Sequence, residues 1–245
     1  MRLPGLLAII SLFVATQAAL ADDAVLQSFN GAVEMKTSKD RDWEPAKPYT
    51  RITEGGEIRT VKGSNALVSF PNSAQLWMAE NAHFGIEENQ DISTRLDLYS
   101  GRVKFRVPHL AGDEIFTVRT TASVCSVARN AEFVMSATEE GEQSLWVLFG
   151  GVQLQYLVPL KDEDSLKNIT QGQAYRITDP EQPGLLYMMN ADTERGLLQD
   201  WTPHLSRRQR VAVMDLRADN RKEMRDYAKS SAMHFVPSLG LTAYR

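Results

Sequence analysis

The sequence predicts an all-β protein, a two-layer antiparallel sandwich or short β-solenoid-like domain, followed by a C-terminal α-helical extension. Three observations lead there. From Val25 to about Ile177 apolar and polar residues alternate with a period of two in short runs. Glycine or asparagine punctuates those runs, as at Gly31, Gly55, Gly63, Asn72, Gly101, Gly150 and Gly172. Beyond about Asn190 the alternation stops and helix formers take over.

The first 21 residues have the layout of a cleaved secretory signal: Arg2, an apolar run from Leu6 to Val14, then Ala19-Leu20-Ala21 before two aspartates. Cleavage there predicts an exported, periplasmic protein. No later run approaches the roughly 18 uninterrupted apolar residues that a membrane helix needs, so no transmembrane anchor is expected. About 220 residues would remain, enough for one large β domain with an appendage. With 27 basic and 31 acidic side chains the formal net charge is −4, which argues against nucleic acid as a partner. One cysteine, Cys125, cannot form an internal disulfide, so packing must supply the stability.

The clearest strand is "RVKFRV". Val103, Phe105 and Val107 should face the core, with Arg102, Lys104 and Arg106 sharing an exposed face. In the same way Ala66, Val68 and Phe70 belong together, and Val152, Leu154 and Tyr156 oppose Gln153 and Gln155. Strands are expected over residues 22–180. The segment 190–245 is expected to form a helical extension with a docking tail that holds Phe235, Val236, Leu239, Leu241 and Tyr244. Thr202-Pro203, or Ser206 with Gln209, offers its helix start. Leu197, Leu198 and Trp201 are the expected contacts of the extension with the β domain, Trp201 being the anchor.

Taken in order, "GAVEMK", "ITEGGEIRT", "GSNALVSF", "AQLWMAENAHFGI", "LDLYSGRVKFRV", "FTVRTTASVCSVARNAEF", "WVLFGGVQL" and "ITQGQAYRI" resemble the FecR domain, a periplasmic β-rich module named for an iron-citrate signalling protein. The resemblance covers about Val25 to Ile177. It implies an exported interaction or sensory module, without the cytoplasmic and transmembrane parts of the signalling protein. Where that family carries a tight Asp-Gly turn, this chain has Pro71-Asn72-Ser73, with Asn72 suited to positive φ. Where the family carries Arg-Gly-Thr-x-Phe, this chain has Arg129, Asn130, Ala131, Glu132 and Phe133. Arg129, Asn130 and Phe133 are therefore the candidate turn of the family motif.

Candidate chemistry is sparse. Cys125 has Val124, Ser126 and Val127 beside it and no base to activate a thiol. His83, His109, His204 and His234 stand singly, without metal-ligand spacing. Carboxylate pairs such as Glu87-Glu88, Asp113-Glu114 and Glu139-Glu140 are read as solvated turn charges. Asn168-Ile169-Thr170 is a formal glycosylation acceptor, relevant only to a eukaryotic source. No catalytic residue, metal ligand or cofactor is expected, and the protein is read as no enzyme. The candidate binding surface is Arg102, Lys104, Arg106 and Trp201, with Trp43, Trp77 and Trp146 as further aromatics. The expected function is a binding or scaffolding module that engages an envelope protein through a sheet edge or the helix. The alternative is a module for peptidoglycan or another envelope polysaccharide, and behind it a hydrolase with an unrecognised site.

Overall fold

A computed structural model describes residues 23–39, 42–90, 93–110, 112–160, 165–197 and 201. The signal segment, Leu198 and the chain beyond Trp201, with both proposed helix starts and the docking tail, lie outside the described residues. In chain order the strands are β1 Ala24–Asn30, β2 Val33–Lys36, β3 Glu44–Pro45, β4 Arg51–Ile52, β5 Glu57–Thr60, β6 Asn65–Ser69, β7 Gln75–Met78, β8 His83–Gln90 and β9 Ser93–Val107. There follow β10 Ile115–Arg119, β11 Ser123–Val127, β12 Ala131–Ala137, β13 Gln143–Phe149, β14 Gly151–Tyr156, β15 Leu166–Thr170, β16 Gln173–Ile177 and β17 Leu185–Met188. One short helix, α1, spans Ala191–Leu197.

All the strands belong to one hydrogen-bonded system, because the long strand β9 is shared by two sheets. Sheet A runs β4-β1-β6-β7-β9-β12-β13-β16-β17. Sheet B runs β3-β2-β5-β8-β9-β10-β11-β14-β15. Every pairing is antiparallel except β9 with β10, which is parallel. β9 leaves sheet B after Ser100 and enters sheet A at Gly101. Gly101 has φ 91°, and a Cβ there would overlap the backbone of Ala82. A residue without a side chain is what lets the strand change layers.

The inward rows of the two sheets form one core. Phe105 on sheet A stacks on Phe133 at 5.0 Å and meets Phe116 of sheet B edge-on at 5.7 Å. Leu26, Val68, Leu76, Phe84, Leu96, Val118 and Leu154 are buried in the same cluster. The alternation read from "NALVSF", "RVKFRV" and "GVQLQY" matches these inward rows. Cys125 is fully buried among them.

Four local expectations are corrected. Strand structure continues past Ile177 into β17, which pairs with β16. Positive φ in the turn after β6 falls on Ser73 (65°), while Asn72 accepts the Ala74 N–H at 3.1 Å through Oδ1 and so closes the turn with its side chain. Glu87 and Glu88 lie on β8 rather than in a turn, where Glu88 pairs with Arg95 and Glu87 with Arg119. Lys104 is buried, at 7% exposure, and so leaves the exposed face expected for the cationic row.

Candidate functional site

The outer face of sheet A carries the candidate residues. Register aligns Leu67, Trp77, Lys104, Val134, Trp146, Ala174 and Tyr187 in one row across seven strands. Such a row is apolar for a face turned away from the core. It is covered in part: Val134, Leu148 and Leu197 form a second buried cluster, packed by Trp146, Met189 and Trp201. α1 lies over that cluster. Asn190 caps it, its Oδ1 accepting the Thr193 N–H at 2.8 Å, and Asp192 and Glu194 favour its first turn. The expected contacts of Leu197 and Trp201 with the β domain are thus present.

Within this row Lys104 departs from simple alternation because it has partners. Its Nζ lies 2.8 Å from Glu132 Oε1, and Arg106 Nε donates to Glu132 Oε2 at 3.2 Å. Both cations also lie near the Trp77 ring, at 5.9 and 5.4 Å from its centroid. Burial raises the pKa of the Glu132 carboxyl, but the hydrogen bonds and charges of Lys104 and Arg106 outweigh it and hold the group below the ordinary carboxylate value. One acid therefore pairs with two of the three cations and leaves the trio with a net positive charge. Arg102 has no carboxylate partner among the described residues, and its guanidinium sits 5.4 Å from the centroid of the Trp201 ring. The four candidate residues are brought onto one face, though not into one open patch.

The motif residues divide between surface and core. Arg129 and Asn130 form an exposed turn before β12, while Phe133 is buried against Phe105. On the outer face of sheet B, by contrast, charges pair across strands: Arg59 with Glu34 at 2.6 Å, Lys36 with Glu57 at 2.8 Å, and Arg119 with Asp97 through two hydrogen bonds, while the His83 ring is hydrogen-bonded to Glu57 at 2.8 Å. Trp43 lies beneath Arg59, 4.2 Å from its guanidinium carbon to the ring centroid, with His83 edge-on at 5.2 Å. That aromatic is held inside a neutralised charge network.

Cys125 is fully buried. Burial pushes its thiol up to about 12, with hydrogen bonds from Ser123 and Gln143 lowering it only in part. Among the described residues no group of three or more His, Cys, Asp or Glu side chains is placed to hold a metal ion.

Among the described residues the sheet edges differ sharply between the two ends of the sandwich. At the end nearest the N-terminus they are β3 and β4, two residues each, carrying Glu44, Pro45 and Arg51. Short, charged and proline-bearing edges discourage pairing with another chain. At the other end they are β15 and β17, with no charged residue in β17. Leu185 and Met188 are 66% exposed, and Leu186 is exposed beside them. The sequence reading missed β17. Its only local signal was the run "LLYM" after Gly184, too short to show alternation.

Geometrically, then, the described residues form a two-layer β module with one guarded end, one end whose edge strands have no further partner among the described residues, and a helix laid on one face. Residues 56–153 match the family model described as FecR protein, from the start of β5 into β14. The resemblance read from the order of the motifs is met over that span, which is narrower than Val25 to Ile177. No curated protein matches the chain. Among solved structures, a crystal structure of a candidate anti-sigma factor from Parabacteroides distasonis superposes with a TM-score of 0.50 at 18% identity. It covers 58% of this chain and 64% of that one. A second crystal structure of a candidate anti-sigma factor from the same organism gives 0.49 at 19% identity with the same coverage. The chain thus spans less than two thirds of that neighbour, and the likeness concerns the fold.

Proposed function

We propose that this protein is an exported, periplasmic, non-catalytic module that binds an envelope protein by taking an extended segment of it onto the open edge of sheet A at β17. The observation that carries this reading is the contrast of edges. β3 and β4 are blunted, whereas β17, paired only with β16 among the described residues, offers an uncharged edge with Leu185, Leu186 and Met188 exposed. An exposed apolar edge strand is a template for another chain, and an added strand gains main-chain hydrogen bonds together with side-chain contacts. The edge is held in place for that role: Tyr156 Oη accepts the Gly184 N–H at 2.6 Å and lies 3.1 Å from Tyr175 Oη. The FecR match supports a binding module, and the pushed-up thiol of Cys125 supports the non-catalytic reading. Residues 1–21 supply the export signal, to be checked by the mass of the mature protein.

Photocrosslinking in intact cells tests this. A photoreactive residue at Leu185 should yield one dominant adduct with an envelope protein, and the same probe at Pro45 should yield none. Adding Met188→Lys should abolish the adduct, because a charge on the edge opposes pairing. An adduct that survives Met188→Lys, or that forms equally from Pro45, removes β17 from recognition.

A further inference from the structure

Where β6 begins and β7 ends, a cavity of about 270 Å³ opens on the outer side of sheet A, on the layer that also bears α1. Asn65, Met78, Glu80, Arg102 and Trp201 line it. Its volume is near the lower end of the ~300–1,000 Å³ typical of small-ligand pockets, which suits a single ring.

Each polar group of the lining narrows the ligand. Asn65 Oδ1 is buried without a hydrogen-bond partner among the described residues. A buried acceptor left unmatched is costly, so the site calls for a ligand that donates. That requirement sets aside phosphate and sulfate ions, whose oxygens chiefly accept. Arg102, without a carboxylate partner among the described residues, calls for an anion and can hold a carboxylate through two parallel hydrogen bonds. Glu80 accepts the Gly63 N–H at 2.6 Å through Oε2, which holds a negative charge at the rim and disfavours a multiply charged anion. Trp201 supplies an indole wall, 5.4 Å from ring centroid to the Arg102 guanidinium, suited to a flat face of C–H groups.

We infer that this cavity binds one carboxylated sugar ring, its carboxylate on Arg102, a hydroxyl donating to Asn65 Oδ1 and its C–H face against Trp201. A ring of this kind combines several hydroxyl donors, one negative charge and an apolar face. A neutral sugar lacks the charge, and a fatty acid lacks the donors. The site is separate from the β17 edge, so it stands or falls independently of protein recognition there. Two sources present such a ring: the free acid in solution and one unit of an acidic polysaccharide.

The test is an NMR titration of the full mature chain, labelled with ¹⁵N, using sodium glucuronate as probe and glucose as control. Glucuronate should shift the Gly63 amide, the Asn65 side-chain amide and the Trp201 indole N–H saturably at roughly millimolar concentration. Arg102→Gln should weaken binding about tenfold or more while the rest of the spectrum is unchanged, since Arg102 is exposed and packs in no core cluster. Glucose should bind as weakly as glucuronate does to that variant. A trimeric glucuronide arm separates the sources: tighter binding than the monomer marks a polymer unit, equal binding marks the free acid, and either supports the site. Absence of saturable shifts at these three groups, equal affinity for glucose, or unchanged affinity in Arg102→Gln overturns the assignment.

Discussion

Glu132→Gln isolates the buried charge that holds the outer face of sheet A together. Lys104 keeps only 8% of its side chain exposed and lies 2.8 Å from Glu132 Oε1. Removing one partner of a buried ion pair costs about 3–5 kcal/mol, because the remaining charge stays desolvated. Two features lower that figure. Glu132 itself is 19% exposed, and glutamine retains an oxygen that accepts from Lys104. A loss of about 2–3 kcal/mol at pH 7 is therefore expected. With an m-value near ~3 kcal/mol/M, the urea midpoint falls by about 1 M. The pH dependence provides a second reading. The Glu132 carboxyl is held below its ordinary value, so its contribution is fully present above the unfolded pKa, near 4.5, and is lost as pH falls through the folded one. The difference between wild type and Glu132→Gln should thus close as the pH drops below about 4.5. Replacing both partners, Lys104→Met with Glu132→Leu, should recover most of the stability because no charge remains buried. Equal midpoints for wild type and Glu132→Gln at pH 7, or a double variant no more stable than the single one, would refute the pairing argument.

Three further outcomes are expected. Gly101→Ala should cost at least about 2 kcal/mol in urea unfolding, since φ 91° and the Ala82 backbone both exclude a side chain; a cost under about 0.5 kcal/mol would mean that β9 can change layers without a glycine. Cys125 should react with a thiol reagent only as fast as the protein opens globally, and rapid labelling of folded protein at pH 8 would contradict its burial and raised pKa. Tyr156→Phe should cost about 1–3 kcal/mol and speed hydrogen exchange at Gly184, because the Gly184 N–H loses its acceptor; unchanged exchange there would show that Tyr156 does not hold β17.

Local pattern made the strands legible because a period of two is written into each strand by its own backbone geometry. Val103, Phe105 and Val107, or Val152, Leu154 and Tyr156, needed no knowledge of neighbours to be placed inward. The order of glycine turns likewise pointed to the FecR domain, and the segment 56–153 matches it. β17 escaped notice because four residues carry too little periodicity, and its strand identity comes from pairing with β16. The carboxylate partner of Lys104 and Arg106 escaped for a different reason. Alternation placed Arg102, Lys104 and Arg106 on one side of β9, but only the pairing of β9 with β7 and β12 brings Trp77, Val134 and Glu132 around Lys104.

By itself the sequence determined which side of each long strand faces the core, since that depends on adjacent residues alone. It also determined that no thiol base stands beside Cys125 along the chain. The tertiary structure decided which outward side chains remain wet. Lys104 is buried and Arg102 exposed although both occupy outward positions on one strand, because burial there depends on what distant strands and α1 lay across the face. It also decided which strands stand at the sheet edges among the described residues, for an edge is set by pairing with strands distant in the chain, which no local run of residues encodes.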